Sequence, residues 1–443
     1  MDILGVGALG LVAIEWLALG WLSGVAWPTE QAVFWAPRWA LRLLVGGFLV
    51  ALAQLALAWI GLGIGSIPIV LAVAAVGAAG LRGAFGGSSG ERKPMRMENR
   101  ERVGWLLLGG VLAAAVARSF LVPEAGWDAF SHWGLRAQAY ALAATIVNAH
   151  SEHEYYPPLV PLLEAWLYSH RGGVSIDLGK TVWALVGSAF AVCLAWHLRL
   201  NLPQPWYAPL FATGIVIATT ALEEGFWTGQ ADLALTAYVS LATLAIVQWQ
   251  GLPNRLWLIQ AAIFAAAAAL TKFEGSPRVG VLVAAVLLEA ALGKNLRYAV
   301  PALVVAAAAG LAFLLWTAFE LTHGITPNAE HIGQFQPIAL GSVLIALMAV
   351  FGGVRTGGGL LVAALAWVIA GRQLICPPLR LLTLVVVGQL LATLTAFLLS
   401  STSPDVEVRT SATRLFEQFL PLALYVGAVT LGHETATYNR RGR

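Results

Sequence analysis

The sequence predicts an all-α polytopic membrane protein with about thirteen transmembrane helices. Of its 443 residues, 59% are hydrophobic and only 11% are charged, whereas about 25% of the residues in an ordinary soluble domain are charged. The mean hydropathy is +0.76. Apolar runs long enough to cross a bilayer recur from one end of the chain to the other, which indicates membrane spans rather than a soluble core.

The predicted spans follow one another along the chain. They cover residues 3–26, 40–62, 66–82, 103–121, 176–199, 207–223, 230–249, 256–271, 277–293, 298–319, 338–354, 381–400 and 415–432. The first run lacks a basic segment before it and a cleavage site after it, so we interpret it as a retained helix. Residues 357–371 are also apolar, but we predict a re-entrant or interfacial segment there, because a single crossing between 338 and 380 keeps the loops alternating.

The distribution of charge predicts the orientation of the chain. Basic residues crowd the loop between the third and fourth spans: Arg92, Lys93, Arg96, Arg100 and Arg102. Short loops rich in Lys and Arg face the cytoplasm, and alternation from this loop puts most of the 26 Lys and Arg residues on that side. Most carboxylates and histidines then face the opposite, extracytoplasmic side. The two cysteines, Cys193 and Cys376, are far apart, which excludes a disulfide framework and a cysteine-based metal site.

The long segment 122–175 contains the stretch AGWDAFSHWGLRAQAY, in which Asp128, His132 and Arg136 are spaced at i, i+4 and i+8. The apolar residues form a second stripe at helical spacing: Phe130, Trp133, Ala137 and Tyr140. One interpretation is an amphipathic helix on the membrane surface, capped by Asp128. The other is that Asp128 is a general base beside the lipid headgroups, with Arg136 available for a phosphate.

A dense polar group follows in HSEHEYYPPLVPLLEAWLYSH, residues 150–170. Glu152, His153 and Glu154 fit either a hydrated surface or a divalent cation. Their spacing matches no strong metal signature, so both interpretations stay open.

Two aromatic residues come directly after that group. Tyr155 and Tyr156 suit either stacking on a sugar ring or anchoring at the membrane interface. The prolines behind them force an extended backbone. The apolar helix that follows is too short to span a bilayer, so we expect it to dock at the interface.

Three acidic residues lie around the short loop LEEGFWTGQAD. Glu223 and Glu224 end one predicted span, and Asp232 begins the next. Adjacent carboxylates repel each other unless they are hydrated or hold a cation or a hydroxyl-rich ligand. A charge at the mouth of an apolar helix is costly, which makes Asp232 a stronger candidate for function.

The turn LTKFEGSPRV places Lys272 and Glu274 at the end of an alanine-rich span. They fit either a local ion pair or a site in which the lysine binds an anionic lipid phosphate.

A basic residue opens the last predicted span in VEVRTSATRLFEQFLP. Arg414 would oppose the helix macrodipole at this position, which indicates some other requirement. Phosphate binding is such a requirement, because the guanidinium matches phosphate geometrically.

No other motif indicates chemistry. The sequence has no Walker A loop, no G-x-S-x-G elbow, no HExxH and no dinucleotide fingerprint. We predict no nucleic-acid partner. Glu15, an isolated acid within the first span, is expected to pack against a polar neighbour.

These motifs, in this order and on one side, resemble the GT-C superfamily of integral-membrane glycosyltransferases, in particular the bacterial protein mannosyltransferase and aminoarabinose transferase type. The resemblance covers about residues 103–432. It implies a bacterial inner-membrane protein whose active site faces the periplasm or cell exterior. The chain would divide into N-terminal helices with a basic loop (1–102), a catalytic membrane module (103–320) and C-terminal helices with a basic tail (321–443).

The resemblance also implies roles. The donor would be a polyprenyl-phosphate sugar and the acceptor a lipid, glycan or protein, and transfer would invert the anomeric centre, with Asp128 as general base. The donor-phosphate candidates are Arg136, Lys272 and Arg414. The candidates for acceptor or sugar binding are His132, Glu152, Tyr155, Tyr156, Glu223, Glu224, Asp232 and Glu274. No cofactor is required, although His153 and Glu154 could hold a divalent cation.

Two other functions compete with this one. A secondary transporter is a natural expectation for so many spans, but transporters place ionisable residues near the midplane and contain internal repeats, whereas these ionisable residues cluster at one side. A lipid-binding subunit of an envelope assembly would not need an acid, a lysine and an arginine on the same side.

Overall fold

The computed structural model describes residues 3–28, 34–63, 97–123, 126–146, 154–223, 229–325, 340–351, 354–377, 379–399 and 404–441. Within these ranges the regular structure is entirely helical. The α-helices are α1 (Ile3–Leu22), α2 (Trp35–Trp59), α3 (Asn99–Leu121), α4 (Leu135–Ala143), α5 (Leu159–Arg171), α6 (Ile176–Gly179), α7 (Thr181–Asn201), α8 (Tyr207–Glu223), α9 (Ala231–Gly251), α10 (Arg255–Thr271), α11 (Gly275–Leu292), α12 (Ala299–His323), α13 (Leu340–Phe351), α14 (Val354–Ala370), α15 (Leu379–Leu399), α16 (Pro404–Glu417) and α17 (Leu420–Arg441). A π-helix, Ala129–Gly134, precedes α4.

The apolar helices confirm a polytopic membrane protein. Among the described residues, 9 helices are long and apolar enough to cross a membrane, or up to 10 if the bent pair Val408–Glu417 and Leu420–His433 is one span. The number thirteen remains a prediction, and the predicted span 66–82 lies outside the described residues. Gly358–Ile375 is long and apolar enough to cross by itself, although we predicted a re-entrant or interfacial segment there.

The first two helices pack unusually closely. A Cβ on Gly46 would lie 1.8 Å from the carbonyl oxygen of Trp16, and one on Gly20 would lie 1.9 Å from that of Arg42. Small residues at a helix interface let two backbones approach, so these glycines explain why α1 and α2 form a tight pair.

That pair docks on the loop helix α5 through polar contacts. The Trp166 indole and the His170 ring each lie 2.9 Å from the carboxylate of Glu15, and the Gln54 amide donates to the carbonyl of Leu162. The expectation that Glu15 packs against polar neighbours is confirmed.

Helix α9 is the centre of the bundle. In its most apolar 18-residue stretch, 94% of the residues are buried inside the protein, and the helix packs against α7, α10, α11 and the α16–α17 pair. Its first turn therefore holds Asp232 in the interior, where only 2% of the residue is exposed.

Candidate functional site

The segment that carries Asp128 enters a π-helix rather than beginning an ordinary α-helix. The amide of Leu135 bonds to the carbonyl of Phe130, five residues earlier. Asp128 itself has helical backbone angles, and its side chain makes no capping hydrogen bond. The predicted N-cap role of Asp128 is therefore wrong, and its carboxylate is available for other contacts.

The π-helix also changes which residues share a face. Residues four apart no longer lie above one another where amides bond five residues back, so Asp128 and Arg136 do not form one polar stripe. Arg136 is 0% exposed, whereas Trp127 is 74% exposed. The expected surface helix with Arg136 on its solvated face is thus wrong.

Arg136 holds the loop behind it. Its Nη2 donates to the Tyr140 hydroxyl at 2.8 Å and to the backbone carbonyls of Tyr156 at 2.9 Å and Glu154 at 3.4 Å. A fully buried guanidinium that binds backbone carbonyls fixes the path of residues 154–156, and its contact with a donor phosphate stays a prediction.

Asp128 instead pairs with Arg414. Arg414 Nη1 contacts Asp128 Oδ2, and Arg414 Nη2 lies 3.4 Å from the hydroxyl of Ser411. Asp128, the candidate base, and Arg414, a candidate for phosphate binding, therefore form one ion pair, although 286 positions separate them in the chain.

A second polar group forms around Lys272. Its Nζ lies 3.2 Å from Asp232 Oδ1 and 3.1 Å from Glu274 Oε1. Asp232 Oδ1 also accepts a hydrogen bond from Gln418 Nε2. Gln418 is four residues after Arg414, so the end of α16 and the residue that follows it contact both ion-paired groups.

The sequence explains how this second group is assembled. A Cβ on Gly275 would lie 1.9 Å from the carbonyl oxygen of Ala268, so only glycine permits the close turn between α10 and α11 that carries Lys272 and Glu274. The next turn of α11 holds Arg278, whose guanidinium donates to the Gln389 side chain and to the carbonyl of Leu415.

The break between α16 and α17 positions Arg414 and Gln418. The two helices are bent by 43°, and Gln418 and Phe419 lie between them. We predicted a continuous span over 415–432, and this interruption was not anticipated. Pro421 is the feature of the sequence that indicates the break, because proline favours the first turn of a new helix.

The two tyrosines lie beside both groups. Their rings stack with centroids 4.9 Å apart, and Tyr156 also meets Trp133 edge-on at 5.4 Å. Burial raises the pKa of Tyr156, and the negative charges of Glu274 and Asp128 raise it further. Burial likewise raises the pKa of Tyr155.

The remaining candidates are placed in part. His132 lies 3.0 Å from the Ser131 hydroxyl. The backbone carbonyl of Glu154 accepts a hydrogen bond from Arg136. Glu223 ends α8. Glu152, His153 and Glu224 lie outside the described residues. Within the described part of the chain, no group of three or more His, Cys, Asp or Glu side chains is placed to hold a metal ion.

No protein-family model, curated protein or solved structure matches this chain. The chemistry of the site therefore rests on its own geometry: two carboxylates, each held by a cation, beside half-buried tyrosines. Such a site can accept a proton from a hydroxyl, bind an anionic leaving group and contact a polyhydroxylated ring.

Proposed function

We propose that the protein is a membrane glycosyltransferase that transfers a sugar from a polyprenyl-phosphate donor to an acceptor hydroxyl on the extracytoplasmic side. The observation that supports this most is the meeting of Asp128 with Arg414 next to Asp232, Lys272 and Gln418. A proton acceptor, two cations and a hydroxyl-binding acid are the groups that such a transfer needs.

Asp128 is the general base in this proposal. The acceptor oxygen attacks C1 of the sugar from the side opposite the phosphate, and its proton passes to Asp128. The bond between C1 and the phosphate oxygen breaks, and its electron pair leaves with the polyprenyl phosphate. Attack from the opposite side inverts the anomeric centre.

Arg414 and Lys272 stabilise the charge that develops on the leaving phosphate. Cations fixed in a partly dry site stabilise such charge more than water does. Both side chains are largely buried, with 17% and 9% exposure. Arg136 is not assigned to the phosphate, because it is fully buried against the loop backbone.

Asp232, Glu274 and the two tyrosines bind the sugar or the acceptor. Carboxylates accept hydrogen bonds from hydroxyl groups, and the half-buried rings of Tyr155 and Tyr156 offer apolar faces for a sugar ring. A divalent cation near His153 and Glu154 remains part of the proposal as an addition to the site, and no step of the transfer depends on it.

Transfer by purified protein tests the proposal. The full-length chain in nanodiscs is supplied with radiolabelled undecaprenyl-phosphate hexoses and with membranes as acceptor. Asp128→Asn should lower transfer by about 10²- to 10⁴-fold, the usual contribution of a general base. Glu289→Gln, which alters an acid paired with Arg380 at the other end of α11, should transfer normally. Transfer that survives Asp128→Asn would contradict the mechanism.

The break between α16 and α17 favours a second candidate, a secondary transporter. Interrupted helices that border a polar site are typical of transporters, and this break carries Gln418 into contact with Asp232. Movement of an intact lipid-linked sugar between the leaflets of a proteoliposome, without transfer to any acceptor, would favour this candidate.

A further inference from the structure

Gln418, a residue with no obvious signal in the sequence, lies at the centre of the site. It occupies the break between α16 and α17 and is 3% exposed. Its Nε2 donates to Asp232 Oδ1. A carboxylate can only accept such a bond, so the charge of Asp232 fixes which end of the amide faces it and directs the amide oxygen elsewhere.

Several oxygen acceptors around this contact have no donor. Gln418 Oε1 and Glu274 Oε2 are buried and have no hydrogen-bond partner among the described residues. Lys272 and Gln418 both donate to Oδ1 of Asp232. Among the described residues, no donor contacts Oδ2. A buried acceptor without a donor costs about 1–3 kcal/mol, so this arrangement is suited to a ligand that supplies donors.

The donors fit hydroxyl groups better than a cation. Lys272 already contacts both Asp232 and Glu274, and its positive charge disfavours a metal ion beside them. The described residues also lack a group of three His, Cys, Asp or Glu side chains that could hold one. A sugar ring supplies several O–H donors without adding positive charge.

We infer that Gln418 determines sugar specificity: its Oε1 and Asp232 Oδ2 each accept a hydrogen bond from a hydroxyl of the donor sugar. This inference rests on the proposed function. Arg414 lies in the last turn of α16, and Gln418 follows it by four residues, directly after the end of that helix. One helix end thus contacts the phosphate through Arg414 and the ring of the same donor through Gln418.

Binding of sugar epimers tests the inference separately from transfer. Undecaprenyl phosphate and its glucose, mannose and galactose derivatives are titrated against the full-length protein in nanodiscs, with tryptophan fluorescence as the readout. The wild type should prefer one epimer by about tenfold, because a site built to bind a hydroxyl rejects a misplaced one. Gln418→Met should reduce that preference to about onefold and leave the affinity for sugar-free undecaprenyl phosphate within about twofold.

Gln260→Met is the matched control. Gln260 is also buried, donates to one carbonyl, that of Ala26, and has an Oε1 without a partner among the described residues. It should keep the epimer preference of the wild type. If Gln418→Met does not fold, Gln418→Asn, which withdraws both amide atoms by one bond, should weaken the preference.

The outcomes separate the two proposals. An unchanged epimer preference in the Gln418 variant, or no preference in the wild type, would overturn the inference. A preference that depends on Gln418, in a protein that transfers no sugar, would support the inference and overturn the proposed transferase activity.

Discussion

Replacing Asp128 with asparagine should make the protein bind undecaprenyl phosphate more tightly, even though sugar transfer is lost. In the structure the guanidinium of Arg414 contacts the carboxylate of Asp128. The proposed donor phosphate needs the same guanidinium. Carboxylate and phosphate are both anions that arginine binds through its N–H groups, so Asp128 and the phosphate compete for Arg414.

The size of the effect follows from the environment of this pair. The side chains of Arg414 and Asp128 are 17% and 27% exposed, so water screens them only in part. Two unit charges 4 Å apart attract by about 4 kcal/mol at an effective dielectric constant of about 20. Hydration of the separated groups offsets much of this, and a charged hydrogen bond retains about 1.5–3 kcal/mol. Since about 1.4 kcal/mol is tenfold in affinity, Asp128→Asn should tighten binding by about 10- to 100-fold.

Equilibrium titration of undecaprenyl phosphate into nanodiscs measures this affinity, with the 18 tryptophans as the reporter. Arg414→Gln should bind the lipid more weakly than the wild type, because the competing site itself is removed. Glu289→Gln should bind it like the wild type, because Glu289 pairs with Arg380 at the far end of α11. An unchanged or weaker affinity in Asp128→Asn would refute the competition and show that the phosphate binds elsewhere.

Three further predictions concern contacts outside the two ion-paired groups. Burial lowers the pKa of His170, but its hydrogen bonds with Glu15 and the Trp166 carbonyl outweigh this and raise it. The stability that the charged His170–Glu15 pair contributes should therefore be complete below about pH 6.5 and be lost as the pH rises through the raised pKa. Thermal unfolding of the wild type and Glu15→Gln across this range measures it, and a difference between them that does not change with pH would contradict the pair. Gly275→Ala should lower the free energy of unfolding by about 1–3 kcal/mol, because a Cβ would lie 1.9 Å from a backbone carbonyl oxygen of α10. Thermal unfolding measures this loss, and an unchanged melting temperature would contradict the close turn. Arg136→Met should expose the loop with the two tyrosines to limited proteolysis, because its carbonyls lose their donor, while an unaltered digestion pattern would argue against the clamp.

The helical fold could be predicted because lipid leaves a chain few choices. Backbone groups in a bilayer must be bonded within their own segment, so a long apolar run indicates a helix. The pairing of the helices does not follow from such runs. Asp128 and Arg414 are separated by 286 positions in the chain, and only tertiary packing decides that they meet.

The misplacement of Arg136 has a definite physical origin. The spacing of Asp128, His132 and Arg136 indicates one face only if the helix has 3.6 residues per turn. The π-helix Ala129–Gly134 changes that period. The spacing of the apolar residues does not predict this π-helix. A Cβ on Gly134 would lie 3.0 Å from the Ala129 carbonyl oxygen, which indicates why a glycine suits this position in the π-helix.

Gln418 was overlooked for a different reason. Gln418 is a neutral amide beside Arg414 and Glu417, so it does not contribute to the pattern of charges in the sequence. Its contact with Asp232 depends on the helix break in which it lies. The break is stabilised from outside the segment, because Arg278 donates to the carbonyl of Leu415 near the end of α16. Carbonyls at a helix end have no partner within the helix, so the interruption requires a donor such as Arg278 from another helix.

The broken helix also explains how one segment reaches both acids of the site. Arg414 lies in the last turn of α16, and Gln418 is the first residue of the break that follows. One of them contacts Asp128 and the other contacts Asp232, so a single segment contacts both acids. Arg278 joins the same helix end to the turn that carries Lys272. In the proposed mechanism, a phosphate that draws Arg414 away from Asp128 frees the base while Gln418 keeps its contact with Asp232, so phosphate affinity and sugar preference can be measured separately.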